Sequence, residues 1–255
     1  MTSFSKLMLL IVSSFMALTA SAFDIKKEFS AEAVQSTPGQ PPVIAKMFVS
    51  KNAVRTETAI GNNTIIEIVF PKDQRRILLN QHAKTYVDQK LPAKVNDRLS
   101  RKDTSPCHGL ANARCKKLGQ EKIDGRNSIK WEMTVSRNGQ YLKSLHWIDS
   151  KRQIPLREQF SGGTVSTMSF VGKEKINGRN TEKWKFYSVR PNGRSIESQQ
   201  WYDLALKMVI RETLAGGYMR ELRNIKVAKQ NKALFEIPAD YKQDTRPAIP
   251  SANNR

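Results

Sequence analysis

The strongest constraint on the fold is that the chain repeats itself. Gly119-Gln120-Glu121-Lys122-Ile123-Asp124-Gly125-Arg126-Asn127 is answered by Gly172-Lys173-Glu174-Lys175-Ile176-Asn177-Gly178-Arg179-Asn180, at a constant offset of 53 residues. Lys130-Trp131 and Lys183-Trp184 keep that offset. It becomes 54 beside Pro191, just before the turn Asn192-Gly193 that answers Asn138-Gly139. Beyond it Trp147, Asp149, Arg157-Glu158 and Gly162-Gly163 fall on Trp201, Asp203, Arg211-Glu212 and Gly216-Gly217. The four tryptophans of the chain all occupy equivalent positions. A repeat of this period is one supersecondary unit used twice.

The punctuation says which unit. Asp124-Gly125 and Asn138-Gly139 are two-residue signals for type I′ hairpins, where both central residues take positive φ. Between them Trp131, Met133 and Val135 point one way and Lys130, Glu132 and Thr134 the other, the period of a half-buried strand. Trp184 and Phe186 repeat the apolar side, Lys183 and Lys185 the polar side. Each copy therefore reads as a β-meander with one core face and one wet face.

Upstream, strands are expected over Phe29–Val34, Val43–Ser50, Ala53–Ile60, Thr64–Phe70, Arg76–Asn80 and Thr85–Gln89, separated by turn-forming stretches such as Thr37–Pro42 and Pro71–Gln74. One stretch reads helical, Ala93–Lys102, and it is short and charged. The expected organisation is a signal peptide over 1–22 and a single β domain over 23–242. Within that domain 23–92 form an N-terminal meander, 93–117 a connector, 118–170 and 171–227 the two repeats, and 228–242 a closing segment. Residues 243–255 read as a disordered tail.

Lys6 followed by the apolar run Leu7–Leu18 and the small residues Ala20-Ser21-Ala22 predicts an export signal cleaved after Ala22, and so a periplasmic location. The run is too short for a spanning helix. The formal charge of +20 becomes +19 once Lys6 is removed. Charge of one sign spread over the surface favours solubility and contact with anionic membrane surfaces, and no nucleic-acid-binding motif accompanies it. Cys107 and Cys115, exported to an oxidising compartment, are expected to form a disulfide. The rival reading, zinc with His108 as a third ligand, lacks a fourth ligand and the usual paired spacing.

Catalytic chemistry finds little support in the residue pattern. His146 answers to Gln200 in the second copy, so the repeat does not demand an imidazole there, and no nucleophile elbow, zinc-binding helix or phosphate loop is present. Asp149 and Asp203 read as turn residues, Arg157-Glu158 and Arg211-Glu212 as strand-end ion pairs, Arg126 and Arg179 as exposed turn residues. The chain is expected to be non-enzymatic, with no cofactor and no metal.

A large antiparallel sheet with one apolar face must fold on itself, curl, or leave a concavity for something else to fill. Two readings stay open for Trp131, Met133, Val135, Trp184 and Phe186, with Met47, Val49, Ile66 and Ile68 from the first half. They pack together as core, or they line a hydrophobic ligand site.

Several stretches resemble the LolA-like superfamily of periplasmic lipoprotein carriers, which includes LolB-like and RseB-like proteins and many uncharacterised exported members. They are Met47–Arg55, Ile77–Tyr86, Trp147-Ile148-Asp149 with Ile154–Arg157, and Leu234–Pro238 before Tyr241. The resemblance covers most of the chain after residue 22 through loose strand and turn signatures. It implies an all-β, incompletely closed antiparallel barrel whose concavity holds lipid chains. The duplicated meander and the scarcity of lid-forming helix depart from the carriers. The function this implies is a periplasmic binding protein holding a lipid or a lipoprotein acyl chain in envelope trafficking or sensing. The alternatives are a protein-binding scaffold or sensor, and a charge-driven binder of lipopolysaccharide or cell-wall polymer.

Overall fold

The structure, a computed structural model, describes residues 27–91, 105–107, 110, 112–137 and 139–244. The expected export signal, the helical stretch Ala93–Lys102, His108, Asn138 and the tail from residue 245 onward lie outside the described residues. Sixteen strands and two short 3₁₀ turns make up the described chain, an all-β, almost entirely antiparallel architecture. By contact it divides into two compact units. One comprises residues 1–96, 206–210 and 219–255, the other 97–205 and 211–218.

In the first unit the six expected N-terminal strands appear within one or two residues of their anticipated ends: β1 Phe29–Ser36, β2 Val43–Val49, β3 Val54–Ile60, β4 Asn63–Phe70, β5 Arg75–Asn80 and β6 Thr85–Lys90. They pair in sequence. At one end β1 pairs with β15 (Met219–Val227); at the other, the two-residue β16 (Lys242–Gln243) adds parallel to β6. The unit's strands run in one open series from β15 to β16, which do not pair with each other.

Cross-strand partners share a face of the sheet, and they settle a point the apolar run of β4 left ambiguous. Met47 stands opposite Ala31 and Thr56, and Thr56 opposite Glu67; Val49 stands opposite Phe29 and Val54. Ile66 and Ile68 alternate with Glu67 and therefore occupy the other face. There they join Ala53, Ile77, Leu79 and Phe235 in a buried cluster, against which Phe48, Tyr86, Leu234 and Tyr241 also pack. Ile66 and Ile68 are roofed by the C-terminal segment.

A short 3₁₀ turn, Lys232–Phe235, delivers that roof. The Asn231 side chain caps it by accepting from the Ala233 N–H, and Arg55 Nη1 donates to the Leu234 carbonyl at 2.7 Å. Glu67, on the Met47 face, is almost wholly buried and meets Arg76 Nε at 2.5 Å. Burial pushes its carboxyl above the usual glutamate value, against the lowering pull of Arg76.

The second unit carries the repeats: β7 Ala113–Ile123, β8 Arg126–Arg137, β9 Gln140–Asp149, β10 Pro155–Phe160, β11 Val165–Ile176, β12 Arg179–Val189 and β13 Ser195–Asp203. Each pairs with the next, so β10 and β11 join the two copies in one sheet, and β7 is an edge. Strand β14 (Met208–Thr213) contributes residues to both units. Asp124-Gly125 and Asn177-Gly178 both take positive φ, 47° and 75° in one, 50° and 75° in the other, as type I′ turns require.

The turn Asn192-Gly193 departs from that expectation. At this turn only Gly193 is left-handed, and the Gly193 N–H donates to the Arg190 carbonyl while the Arg190 N–H donates to Arg194. The inserted Pro191 has converted a two-residue loop into a type I turn with a glycine bulge, where proline fits the first central position. The disulfide Cys107–Cys115 is formed, with Cα atoms 5.8 Å apart. It ties the segment before the sheet to β7.

Truncating Phe235 to Ala should cost about 3–5 kcal/mol of stability, the usual loss for a buried phenylalanine. Urea unfolding checks this, and an unchanged midpoint would mean that the roof over Ile66 and Ile68 is dispensable.

Candidate functional site

The sheet of the second unit has two faces, and each carries two of the four tryptophans. Trp131 pairs with His146, His146 with Glu158, Glu158 with Ser166 and Ser166 with Ser188. Through that chain of partners Trp131, Met133, Val135, Trp184 and Phe186 lie on one face, drawn from both copies. Met47 and Val49, and on the opposite face Ile66 and Ile68, belong to the first unit. Trp147 and Trp201 lie on the face of Lys130 and Lys183, and both are buried. The expectation of one wet face is thereby corrected.

The face of Trp147 hides aromatics under charge. Lys130 Nζ sits 4.9 Å from the centroid of the Trp147 ring and Arg157 Cζ 5.2 Å from it, while the indole N–H donates to Glu121 Oε2 at 2.6 Å. The second copy rebuilds the cage: Lys183 at 5.0 Å and Arg211 at 5.6 Å from Trp201, whose N–H donates to Glu174 Oε2 at 2.9 Å. Lys130 bonds Glu121 at 2.8 Å as well.

Donors from Lys130 and Trp147 hold the Glu121 carboxyl below its usual range, and the Trp201 N–H with Lys183 does the same for Glu174. Long aliphatic stems cover the rings, with the cations over the aromatic faces. The pattern Glu-x8-Lys…Trp…Arg, present twice, was the signal available in the sequence. Alternation analysis missed it because Lys and Arg count as polar. Arg157 therefore serves Trp147 and Glu158 serves His146, which corrects the reading of the pair as an ion pair with one another.

The turn aspartates act as expected. Asp149 Oδ1 accepts from the Lys151 and Arg152 N–H groups, and Asp203 Oδ1 from the Ala205 N–H. Their second oxygens take Arg126, at 2.6 Å, and Arg179. The two arginines are thus partly buried ion-pair partners, and the exposed-turn reading of them is corrected. Burial alone would raise the Asp149 carboxyl, but the Arg152 N–H, the Arg126 guanidinium and the Lys151 N–H outweigh it and hold it low.

The face of Trp131 is built differently. Leu142, Phe160, Phe170 and Ile196 share it by register, each at least 36% exposed. At its centre is a polar chain. Ser144 Oγ lies 2.8 Å from His146 Nε2, and His146 Nδ1 lies 3.0 Å from Glu158 Oε1, with Phe160 edge-on to the imidazole. The order serine, histidine, carboxylate is that of an acyl-transfer triad. However, β9 is paired on both sides, Ser144 with Met133 and with Phe160. Its flanking N–H groups are committed to the ladders, which leaves none turned toward a developing oxyanion. The chain satisfies a buried histidine.

The copies differ around their face tryptophans. Trp184 donates its indole N–H to Glu182 Oε2 at 3.3 Å and meets Phe170 edge-on at 5.5 Å. In the first copy Ile129 stands where Glu182 does and Lys117 where Phe170 does. Trp131 Nε1 is buried and has no hydrogen-bond partner among the described residues.

No protein-family model matches the chain, and no curated protein matches it. Among solved structures it is similar to a LolA superfamily protein from Nitrosomonas europaea, at 13% identity and a TM-score of 0.34, over 88% of this chain and 96% of that one. A domain named for outer membrane lipoprotein sorting, from Vibrio parahaemolyticus, gives 10% identity, a TM-score of 0.34, and coverage of 86% and 94%. A hypothetical lipoprotein from Escherichia coli gives 14%, 0.29, and coverage of 87% and 96%.

Asp149→Asn should lower stability at pH 7 by about 1–3 kcal/mol, the range for a buried, charge-assisted network. Because the folded carboxyl is held low, its contribution is complete above the ordinary aspartate value of about 3.9. It fades as pH falls through the lower folded value. The gap between wild type and variant in urea unfolding should therefore close on acidification. A gap that is constant or widens with acid would contradict this account.

Proposed function

We propose that the chain is an exported, non-enzymatic binding protein that holds an acyl chain against the Trp131 face of its repeat unit. One observation carries the reading: Trp131, Met133, Val135, Trp184 and Phe186 share that face with Leu142, Phe160, Phe170 and Ile196, the last four left substantially exposed. Burying apolar area yields roughly 25 cal/mol per Å². A flexible hydrocarbon chain is the ligand class that gains from such a surface without requiring a matching set of polar groups.

The opposite face favours this reading over charge-driven binding of a polymer. Its cations Lys130, Arg157 and Lys183 are engaged with indole rings, and Lys130 and Lys183 also with glutamates. Fewer of them are free for phosphates than the net charge suggests. A role in moving or sensing lipoproteins extends the same reading, with the acyl groups of the lipoprotein as the bound portion.

Native mass spectrometry of the full chain, expressed with its N-terminal segment and purified without detergent, tests the proposal when paired with organic extraction of the same sample. A stoichiometric acyl-bearing species is expected. A clean unliganded mass that does not change on adding laurate would overturn it.

A further inference from the structure

The two copies serve as each other's control, and they diverge around their face tryptophans. In the second copy the face tryptophan is self-sufficient: Glu182 accepts its indole N–H and Phe170 covers its edge. In the first copy the acceptor has become Ile129, and the cross-strand neighbour of Trp131 on β7 is Lys117. A buried indole N–H with no acceptor is uncommon in folded proteins and asks for an explanation. Lys117 is exposed and has no ion-pair partner among the described residues. A free cation and a free N–H donor thus stand in register, at the margin of the exposed apolar face.

We propose that Trp131 Nε1 and Lys117 Nζ form the head-group site for the carboxylate of a fatty acid, whose hydrocarbon tail runs over Met133, Val135 and Leu142. The inference rests on the acyl-binding reading above and specifies its polar end. A carboxylate is acceptor-only and has two oxygens, one for the indole N–H and one for the ammonium. The polar centre of the face is closed to it: Ser144 and His146 are bonded to one another, and Glu158 repels an anion. Met133 and Val135 follow Trp131 at alternate positions of β8, and Leu142 is the cross-strand partner of Val135. They extend away from Lys117 along the strand direction, which sets the polarity of the bound ligand.

The test compares laurate with methyl laurate, which keeps the chain and a carbonyl acceptor but loses the charge, on the full-length protein and two variants. Lys117 is exposed, so Lys117→Gln leaves the fold intact; Trp131→Phe keeps an aromatic side chain while removing the N–H donor together with the second ring. By titration calorimetry, laurate should bind wild type about tenfold more tightly than methyl laurate, the effect of roughly one charge-assisted bond. Lys117→Gln should abolish that preference, and Trp131→Phe should weaken both ligands. If both ligands bind wild type and both variants equally, the head-group site is refuted while acyl binding stands. If neither ligand binds wild type, both readings fall together.

Discussion

The repeat unit depends on how it disposes of Trp147 and Trp201. A single antiparallel sheet has two faces and cannot put both into one core. Here the unit covers the rings of one face with its own side chains. Each indole is flanked by a lysine and an arginine and anchored at its N–H by a glutamate. Cation–π contacts contribute about 0.5–1 kcal/mol each at exposed sites, and the stems add burial. A face closed by its own long side chains needs no partner. Whatever the unit has left to offer a ligand is concentrated on the other side, where Leu142, Phe160, Phe170 and Ile196 remain in contact with water.

Duplication gave this design room to diverge. Elements that hold the sheet are kept in both copies: the turn aspartates with Arg126 and Arg179, the Glu-Lys-Trp-Arg cages, and the hydroxyls of Ser128 and Thr181 donating to the Glu121 and Glu174 carbonyls. The Trp131 face differs at Ile129 against Glu182, Lys117 against Phe170, and His146 against Gln200, and on the other face the ion pair of Glu132 with Lys143 is reversed as Lys185 with Glu197. Arg126 also reaches the Trp184 ring, at 4.9 Å, and Arg152 pairs with Glu182. The copies are bonded side chain to side chain as well as strand to strand.

Much of this was legible in the residues. Turn chemistry located the hairpins, period-two alternation placed Trp131, Met133 and Val135 together, and the presence of only two cysteines in a chain expected to reach an oxidising compartment paired them. What escaped had physical causes. β4 reads Ile65-Ile66-Glu67-Ile68-Val69-Phe70, apolar on both sides, and its register against β3 decides which side each residue takes; a one-residue slip would exchange them. That is why Met47 and Ile66 both suit one apolar lining by pattern and yet stand on opposite faces. Arg126 and Arg179 follow tight turns and so look exposed, but their ion pairs reach 23 and 24 residues along the chain, to Asp149 and Asp203. Pairings at that distance leave no local trace.

The pairing of β1 with β15 has a consequence for the order in which the chain can fold as it is made. Phe29 waits for Val227, and Arg55 for the carbonyl of Leu234, partners nearly two hundred residues later in synthesis. The repeat unit, by contrast, closes hairpins between neighbouring strands, the kind of short-range contact that forms quickly. As the polypeptide emerges N-terminus first, the early strands must be held unfinished while the middle of the chain folds. Residues 219–243 then act as the latch, and a chain stalled or clipped before Val227 would present β1 as an open edge for aggregation or for degradation.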